Sequence, residues 1–401
     1  MAVNSRVYFA THAISIKQNG GALTFNTGHL LIGAQSVGIT SNFNITPLFT
    51  LGYLPVYENL EGIPDVETNV QKALDGHPPA YMLATTAAVT PTLGGRSASR
   101  CDIGLAVYPD TNTFASGTPQ AVCAISGAYI NSVSYSFSTD GSFTEDTSYV
   151  ANDKIWTLAP GTATGTPNYG EPDLITMPTI TWNAFMASSV TPRAVGGVAQ
   201  SEDFLWDLPT GTLTADENGA VNHPDVTVLP TEIQGITISG TNPTQAGTDI
   251  RSAHIQSASV SVSFNREDIN ELGRRGPYSR TIQFPVEVTA EFTSTSSQGD
   301  LVSHTARGIF GTGTALCSTA NENLRNRTIR LCTCEGLRVY LGVKNKLSSV
   351  SYAGGDAGGG NVTTTYGYST QNDFTVMHQN DPHASGSAWW AARTSNGYLI
   401  Q

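Results

Sequence analysis

Polar and apolar residues alternate one for one through several long stretches of this chain. Ser132-Val-Ser-Tyr-Ser-Phe137 and Ser259-Val-Ser-Val-Ser-Phe264 do so, as does TIQFPVEVTAEF from Thr281 to Phe292. Strand side chains point to opposite faces in turn, so each segment has one face to bury and one to leave in water. A helix cannot segregate residues spaced by two. Turn signals punctuate the runs. Asp140-Gly141 follows the first run and predicts a hairpin returning through Ser142 to Val150, because glycine accepts positive φ without steric cost. Glu335-Gly336 separates Thr328–Cys334 from Leu337–Leu341. The glycine-rich AGGDAGGGN separates Leu347–Tyr352 from Val362–Tyr368. Helical signals are few. Asp65 to Leu74 carries Val66, Val70 and Leu74 at i+4 spacing but also alternates, so helix and strand both stay open there. Asp268–Arg275 and Ala320–Arg325 each have room for a turn or two of helix. The expected fold class is mainly β.

The alternation repeats at long range. With Gln35-Ser36 laid over Gln256-Ser257, Phe43-Asn44 meets Phe264-Asn265 and Leu51-Gly52 meets Leu272-Gly273. In that same frame Tyr57 meets Tyr278, Pro64 meets Pro285 and Thr68 meets Thr289. Ser132-Val-Ser-Tyr135 matches Ser349-Val-Ser-Tyr352 in a second frame, four positions shorter. Gly141, Thr147 and Tyr149 meet Gly358, Thr364 and Tyr366 in that second frame. Two blocks in one order point to an internal duplication. The expected units are residues 1–217, with insertions at about 85–120 and 157–215, and residues 218–401.

Charge is sparse and uneven. Charged residues make up 13% of 401, about half the usual share, and the net charge is −12. The first unit carries 7 Lys+Arg and 18 Asp+Glu (7 − 18 = −11), the second 13 and 14 (13 − 14 = −1). Such a chain is a poor candidate for holding nucleic acid by phosphate neutralisation, although nucleic acid can slide past it. No apolar run reaches a membrane span, and MAVNSRVYFATHAISIKQNGG lacks the apolar region of a secretory leader. Five cysteines cannot form a closed intrachain disulfide set, which suits synthesis in a reducing compartment.

Chemistry-bearing motifs are missing. The sequence has no phosphate-binding loop, no dinucleotide fingerprint, no nucleophile elbow and no recognisable triad. Cys332-x-Cys334 needs two further ligands to hold zinc, with only Cys317 and His304 in reach. Asp140 to Glu145 lacks the remaining ligands of a calcium loop and reads as a turn. His378 and His383 read as solvated loop residues around a polar turn. No enzyme activity, cofactor or metal is expected. One charged stretch stands out, Arg266 to Arg280. Its candidate contact residues are Arg266, Glu267, Asp268, Glu271, Arg274, Arg275, Tyr278 and Arg280. They make either a solvated loop or a subunit contact in which Arg forks meet carboxylates of a neighbour. Tyr57, Glu58 and Glu61 of the first unit join that set.

SVSFNREDINELGRRGPYSRTIQFPVEVTAEF, LGYLPVYENLEGIPDVET, SVSYSFSTDGSFTEDTSYV and LRVYLGVKNKLSSVSYAGGDAGGGNVTTTYGYSTQNDFTVMH resemble the tail tube proteins of tailed bacteriophages over more than half the chain. The resemblance implies two tandem tube-like β-sandwich or barrel modules, each with a short flanking helix. It implies subunits that join sheets into rings, rings that stack into a hollow tube, and viral DNA passing through the lumen without specific binding. A trimer imitating six-fold symmetry is the favoured ring, with a hexamer as rival. The implied partners are sister copies, tail sheath or completion proteins and baseplate proteins, with no membrane. The implied location is the virion tail, assembled in the host bacterial cytoplasm. The alternatives are a capsid-decorating or fibre-like virion protein and an extracellular binding or carbohydrate-active β-sandwich.

Overall fold

The computed structural model describes residues 12–18, 23–24, 29–85, 93, 96, 98–108, 119–152, 154–158, 180–181, 198–201, 204–206, 255–273, 277–295, 329–333, 337–342, 344–354 and 362–378. The strands are β1 (His12–Gln18), β2 (Leu23–Thr24), β3 (Ala34–Leu48), β4 (Glu58–Ala73), β5 (Arg100–Val107), β6 (Ala121–Ser138), β7 (Thr144–Ala151), β8 (Ile155–Leu158), β9 (Ile180–Thr181) and β10 (Phe204–Trp206). They continue as β11 (Ile255–Ser263), β12 (Arg266–Ile269), β13 (Ser279–Ile282), β14 (Glu287–Thr295), β15 (Arg330–Thr333), β16 (Leu337–Tyr340), β17 (Lys346–Ala353), β18 (Thr363–Gln371) and β19 (Thr375–His378). A short helix, α1, spans Ala80–Ala84, and Leu93 and Arg96 are helical as well. The fold is mainly β, with large antiparallel sheets. The ambiguous segment 65–74 is strand throughout most of its length, within β4. Asp268 belongs to strand β12 rather than to a helix. The helical reading of 320–325 lies outside the described residues.

Eight strands form one continuous antiparallel path, β3-β4-β7-β6-β11-β14-β18-β17. Read by sequence, each half of that path runs first, second, fourth, third. Further strands accompany each half: β1, β5 and β8 join the same sheet through β5 and β6, and β10-β15-β16-β19 form a separate four-stranded sheet. Ladder irregularities recur at matching places. The β3–β4 pairing shifts between Ala34 and Ser36, and the β11–β14 pairing between Ile255 and Ser257, which are the same positions in the first frame of the sequence repeat. The β6–β7 pairing shifts between Ile130 and Ser132, and the β17–β18 pairing between Leu347 and Ser349, the same positions in the second frame.

The registers also amend two stretches of the sequence alignment. Ser36 faces Gln71 and Ser257 faces Thr293, so Gln71 of β4 corresponds to Thr293 of β14, one position beyond the first frame. Thr68 therefore corresponds to Ala290, and its identity with Thr289 is coincidental: Thr68 is buried, whereas Thr289 lies on the polar face. Ser132 faces Ser148 and Ser349 faces Gly367, so Ser148 of β7 corresponds to Gly367 of β18, and Tyr149 is matched with Tyr368. β5 falls inside the stretch 85–120 read as an insertion, yet it bridges β1 and β6. β10 precedes residue 217 but pairs with β15 of the second half.

The alternation sets the layers. Val133, Tyr135 and Phe137 of β6 and Ala258, Val260 and Val262 of β11 turn to one face and are buried. They join one continuous apolar cluster with Ile103, Ile125, Phe292, Tyr366 and Val376. Each Val, Ile or Phe among them contributes about 1.5–3 kcal/mol by leaving water. α1 sits on this cluster. Its Tyr81 stacks on Phe264 at 6.5 Å and meets Phe374 edge-on at 5.6 Å, so it joins residues of both halves.

Candidate assembly interface

The other face of the eight-strand path is polar. Opposite the core, β6 presents Ser132, Ser134, Ser136 and Ser138, and β11 answers with Ser263, Ser261, Ser259 and Ser257 in register. β14 adds Thr289, Glu291 and Thr293, and β7 adds Thr144, Asp146 and Ser148. β4 adds Asp65, Glu67, Asn69 and Gln71. Hydroxyls bridge neighbouring strands: Ser261 Oγ lies 2.7 Å from Thr289 Oγ1, and Thr293 Oγ1 lies 3.1 Å from Thr365 Oγ1. Carboxylates outnumber cations among these residues, with Lys346 at the β17 edge.

Both ends of the path are open edges. Among the described residues β3 pairs only with β4, and β17 only with β18. An unpaired edge leaves backbone donors and acceptors ready for another strand. Phe43 and Ile45 on β3 and Tyr352 on β17 are exposed large apolar residues on these edges.

Two hairpins project from the sheet. β3 and β4 run on into a tip at 49–57, where Phe49, Leu51, Tyr53 and Leu54 are exposed and Tyr57 N donates to Leu48 O at 2.9 Å. Gly52 turns there with φ +82°. β12 and β13 form the second hairpin, with Gly273 at φ +86° and Leu272 exposed. The two glycines are equivalent in the first frame of the repeat and supply the same left-handed turn.

The charged candidates divide. Arg280 is buried, and it binds Asp65 at 2.7 Å, Asn152 at 2.8 Å and Asp268 at 3.1 Å. Arg266 donates through Nε to Ile130 O at 2.7 Å and through a terminal nitrogen to Arg280 O at 3.0 Å. Its guanidinium lies 4.8 Å from the Tyr129 ring centroid, and burial brings its pKa down to about 10, so it keeps its charge at neutral pH. Both arginines thus clamp β12 and β13 onto strands of the first half of the same chain. Burial raises the pKa of Asp268, with Arg280 opposing. Glu267 is exposed and accepts from Gln283 Nε2 at 3.2 Å. Glu271, Tyr278, Tyr57, Glu58 and Glu61 are exposed on the two hairpins. Arg274 and Arg275 lie outside the described residues.

Sequence reading missed several residues. Glu145, placed in a polar turn, is fully buried: Ala80 N donates to it at 2.6 Å, Tyr81 N at 3.1 Å and Tyr135 OH at 2.9 Å. Its place on the buried side of β7's alternating run was the available signal. His378, read as solvated, is buried at the end of β19, where Val376, Met377 and His378 are buried in succession. The apolar hairpin tip carries no motif, and only its density of Leu and Tyr marks it. No cluster of metal-ligating side chains occurs among the described residues, and no described helix is long and apolar enough to cross a membrane.

The sequence matches no protein-family model and no curated protein. Solved structures do match. The chain is similar to a component of the sheath-tube complex of an extracellular contractile injection system, in its extended state, at 13% identity and a TM-score of 0.29, over 39% of this chain and 95% of that one. It is similar to the tube-terminating cap of the anti-feeding prophage at 13% identity and a TM-score of 0.30, over 40% and 95%. It is also similar to an Hcp protein at 12% identity and a TM-score of 0.22, over 37% and 98%.

Proposed function

We propose that this chain is a structural, non-enzymatic subunit of a phage-type tail tube, polymerising with copies of itself into stacked rings around a bore. The observation that carries this reading is the eight-strand sheet itself: it is covered on one face, polar on the other, and open at both edges. Closing such a sheet on itself through sister copies removes the edges. The resemblance of four long stretches to tail tube proteins supports the same reading. The matched strand orders and ladder irregularities support two tandem modules, and β10 argues for a boundary ahead of Phe204 rather than at 217. Three copies then make a 24-strand ring (3 × 8), about 40–50 Å across at the backbone. That is wide enough for duplex DNA.

In this ring the serine-rich face lines the bore. Its hydroxyls and carboxylates hold no phosphate, so DNA passes without sticking. Asp65, Glu67 and Asp146 put part of the first half's acidic excess there. The partners at the ends and outside are the completion, baseplate and sheath proteins of a tail, assembled in the host cytoplasm. Negative-stain microscopy of the purified protein tests the proposal. Tubes or stacked rings are expected; isolated trimers would favour a decorating or fibre protein instead, and monomers would overturn any assembly role.

A further inference from the structure

We propose that β17 of one copy pairs antiparallel with β3 of the next in the register that β6 and β11 already use within the chain. The inference rests on the tube reading and names the joint it requires. Inside the chain Tyr135 faces Val260, Ser134 faces Ser261 and Val133 faces Val262. The matching ladder irregularities make β17 the counterpart of β6, with Tyr352 standing for Tyr135, and β3 the counterpart of β11, with Ile39 standing for Val260. Carried across, the register sets Tyr352 opposite Ile39, Ser351 opposite Thr40 and Val350 opposite Ser41. Strand direction alternates along the path, so β17 meets the next β3 antiparallel, as β6 meets β11.

Burial shows what each edge lacks. Tyr135 is 0% exposed beneath the internal seam, whereas its counterpart Tyr352 is 47% exposed. Val260 is buried, while its counterpart Ile39 is only partly so. Val37 and Ile39 on β3, and Leu347 and Val350 on β17, are apolar residues packed against the core yet left partly open. Within the eight-strand path, the strands carrying these partly buried apolar residues are the two edge strands; the remaining such residue, Ile282, lies on β13 outside the path. A second copy of this chain supplies both needs at once. On the opposite face, Ser351 beside Thr40 continues the hydroxyl rows.

The joint differs from its internal template in one respect. Arg266, which clamps the internal seam, corresponds to Ile45, an exposed apolar residue. The joint between copies is therefore apolar where the internal one carries a charged hydrogen-bond donor, and its strength is expected to change little with salt.

Cysteine pairing tests the register. Thr40→Cys with Ser351→Cys is expected to give covalent dimers and closed trimers on oxidation or with a short thiol cross-linker. Each single variant, and the shifted pair Asn42→Cys with Ser351→Cys, is expected to give several-fold less. Tubes by microscopy together with preferential cross-linking of the shifted pair, or with none, would overturn the register while leaving the tube reading intact. A chain that stays monomeric in sedimentation and microscopy overturns both. Tyr352→Arg provides the second arm: an unchanged melting temperature with loss of rings is expected, and normal rings would refute the joint.

Discussion

Glu145 carries a carboxyl group into the core, against three donors from two other elements. Ala80 N and Tyr81 N begin α1, and Tyr135 comes from β6, so one side chain ties the short helix to the sheet. A helix as short as α1 does not persist alone, and this tie together with Tyr81's ring contacts holds it. Burial raises the Glu145 pKa above its ordinary 4.5, while the backbone donors, Lys72 and Tyr135 pull the other way. The neutral form is thus the one favoured by folding. Its contribution is complete below about pH 4.5 and is lost as pH rises through the folded value. Glu145→Gln stays neutral throughout. The stability of wild type relative to that variant should fall as pH rises above about 4.5, by at most about 1.4 kcal/mol per pH unit. Denaturant titrations across that range measure the difference; a flat or rising difference contradicts the account.

At the scale of elements, the long β3–β4 hairpin carries a break in its ladder. Pairing runs from Phe43 with Pro64 to Ile45 with Glu61, so Asn44 alone opposes two residues, Gly62 and Ile63. A Cβ on Gly62 would fall 2.5 Å from Asn44 O, closer than real contacts allow. Gly62→Ala should therefore destabilise the hairpin by about 1–3 kcal/mol although the position is exposed. Local protection from amide exchange over 42–48 and 58–64 should drop with it. Gly52→Ala meets no atom within 4 Å and bears only the strain of its positive φ, so its loss should be smaller. Equal losses at the two sites would contradict this. The hairpins around Asp140-Gly141 and the glycine-rich turn after β17 were legible because alternation on both sides fixed face and direction together. The register of β4 against β14 was not. One additional residue between β11 and β14 shifts the correspondence by one, and identical Thr68 and Thr289 end on opposite faces. Identity along a sequence cannot see which face a residue takes; ladder pairing can.

At the scale of the molecule, the arginines of 266–280 show where local reading stops. A charge-rich loop in a charge-poor chain was visible from the sequence, but its anchors Asp65 and Asn152 lie in the other half, brought near by the β6–β11 seam. With Arg266 and Arg280 engaged inside the chain, the exposed hairpin tips are, among the described residues, the candidates for the proposed contact along the axis. Leu51 and Leu54 are 104% and 97% exposed, as open as side chains can be. Two such leucines beside Phe49 and Tyr53 form an apolar tip that a single copy leaves in water. In the proposed stacked rings the tip is expected to reach the neighbouring ring. Leu51→Ser with Leu54→Ser touches nothing in the core and should change folding stability by less than about 0.5 kcal/mol. Single rings should then persist while stacking is lost, because the β3–β17 joint lies away from the tip. Sedimentation and negative-stain images of the variant separate the cases: rings without tubes fit the assignment, whereas tubes of normal length would show that the apolar tip does not hold ring to ring.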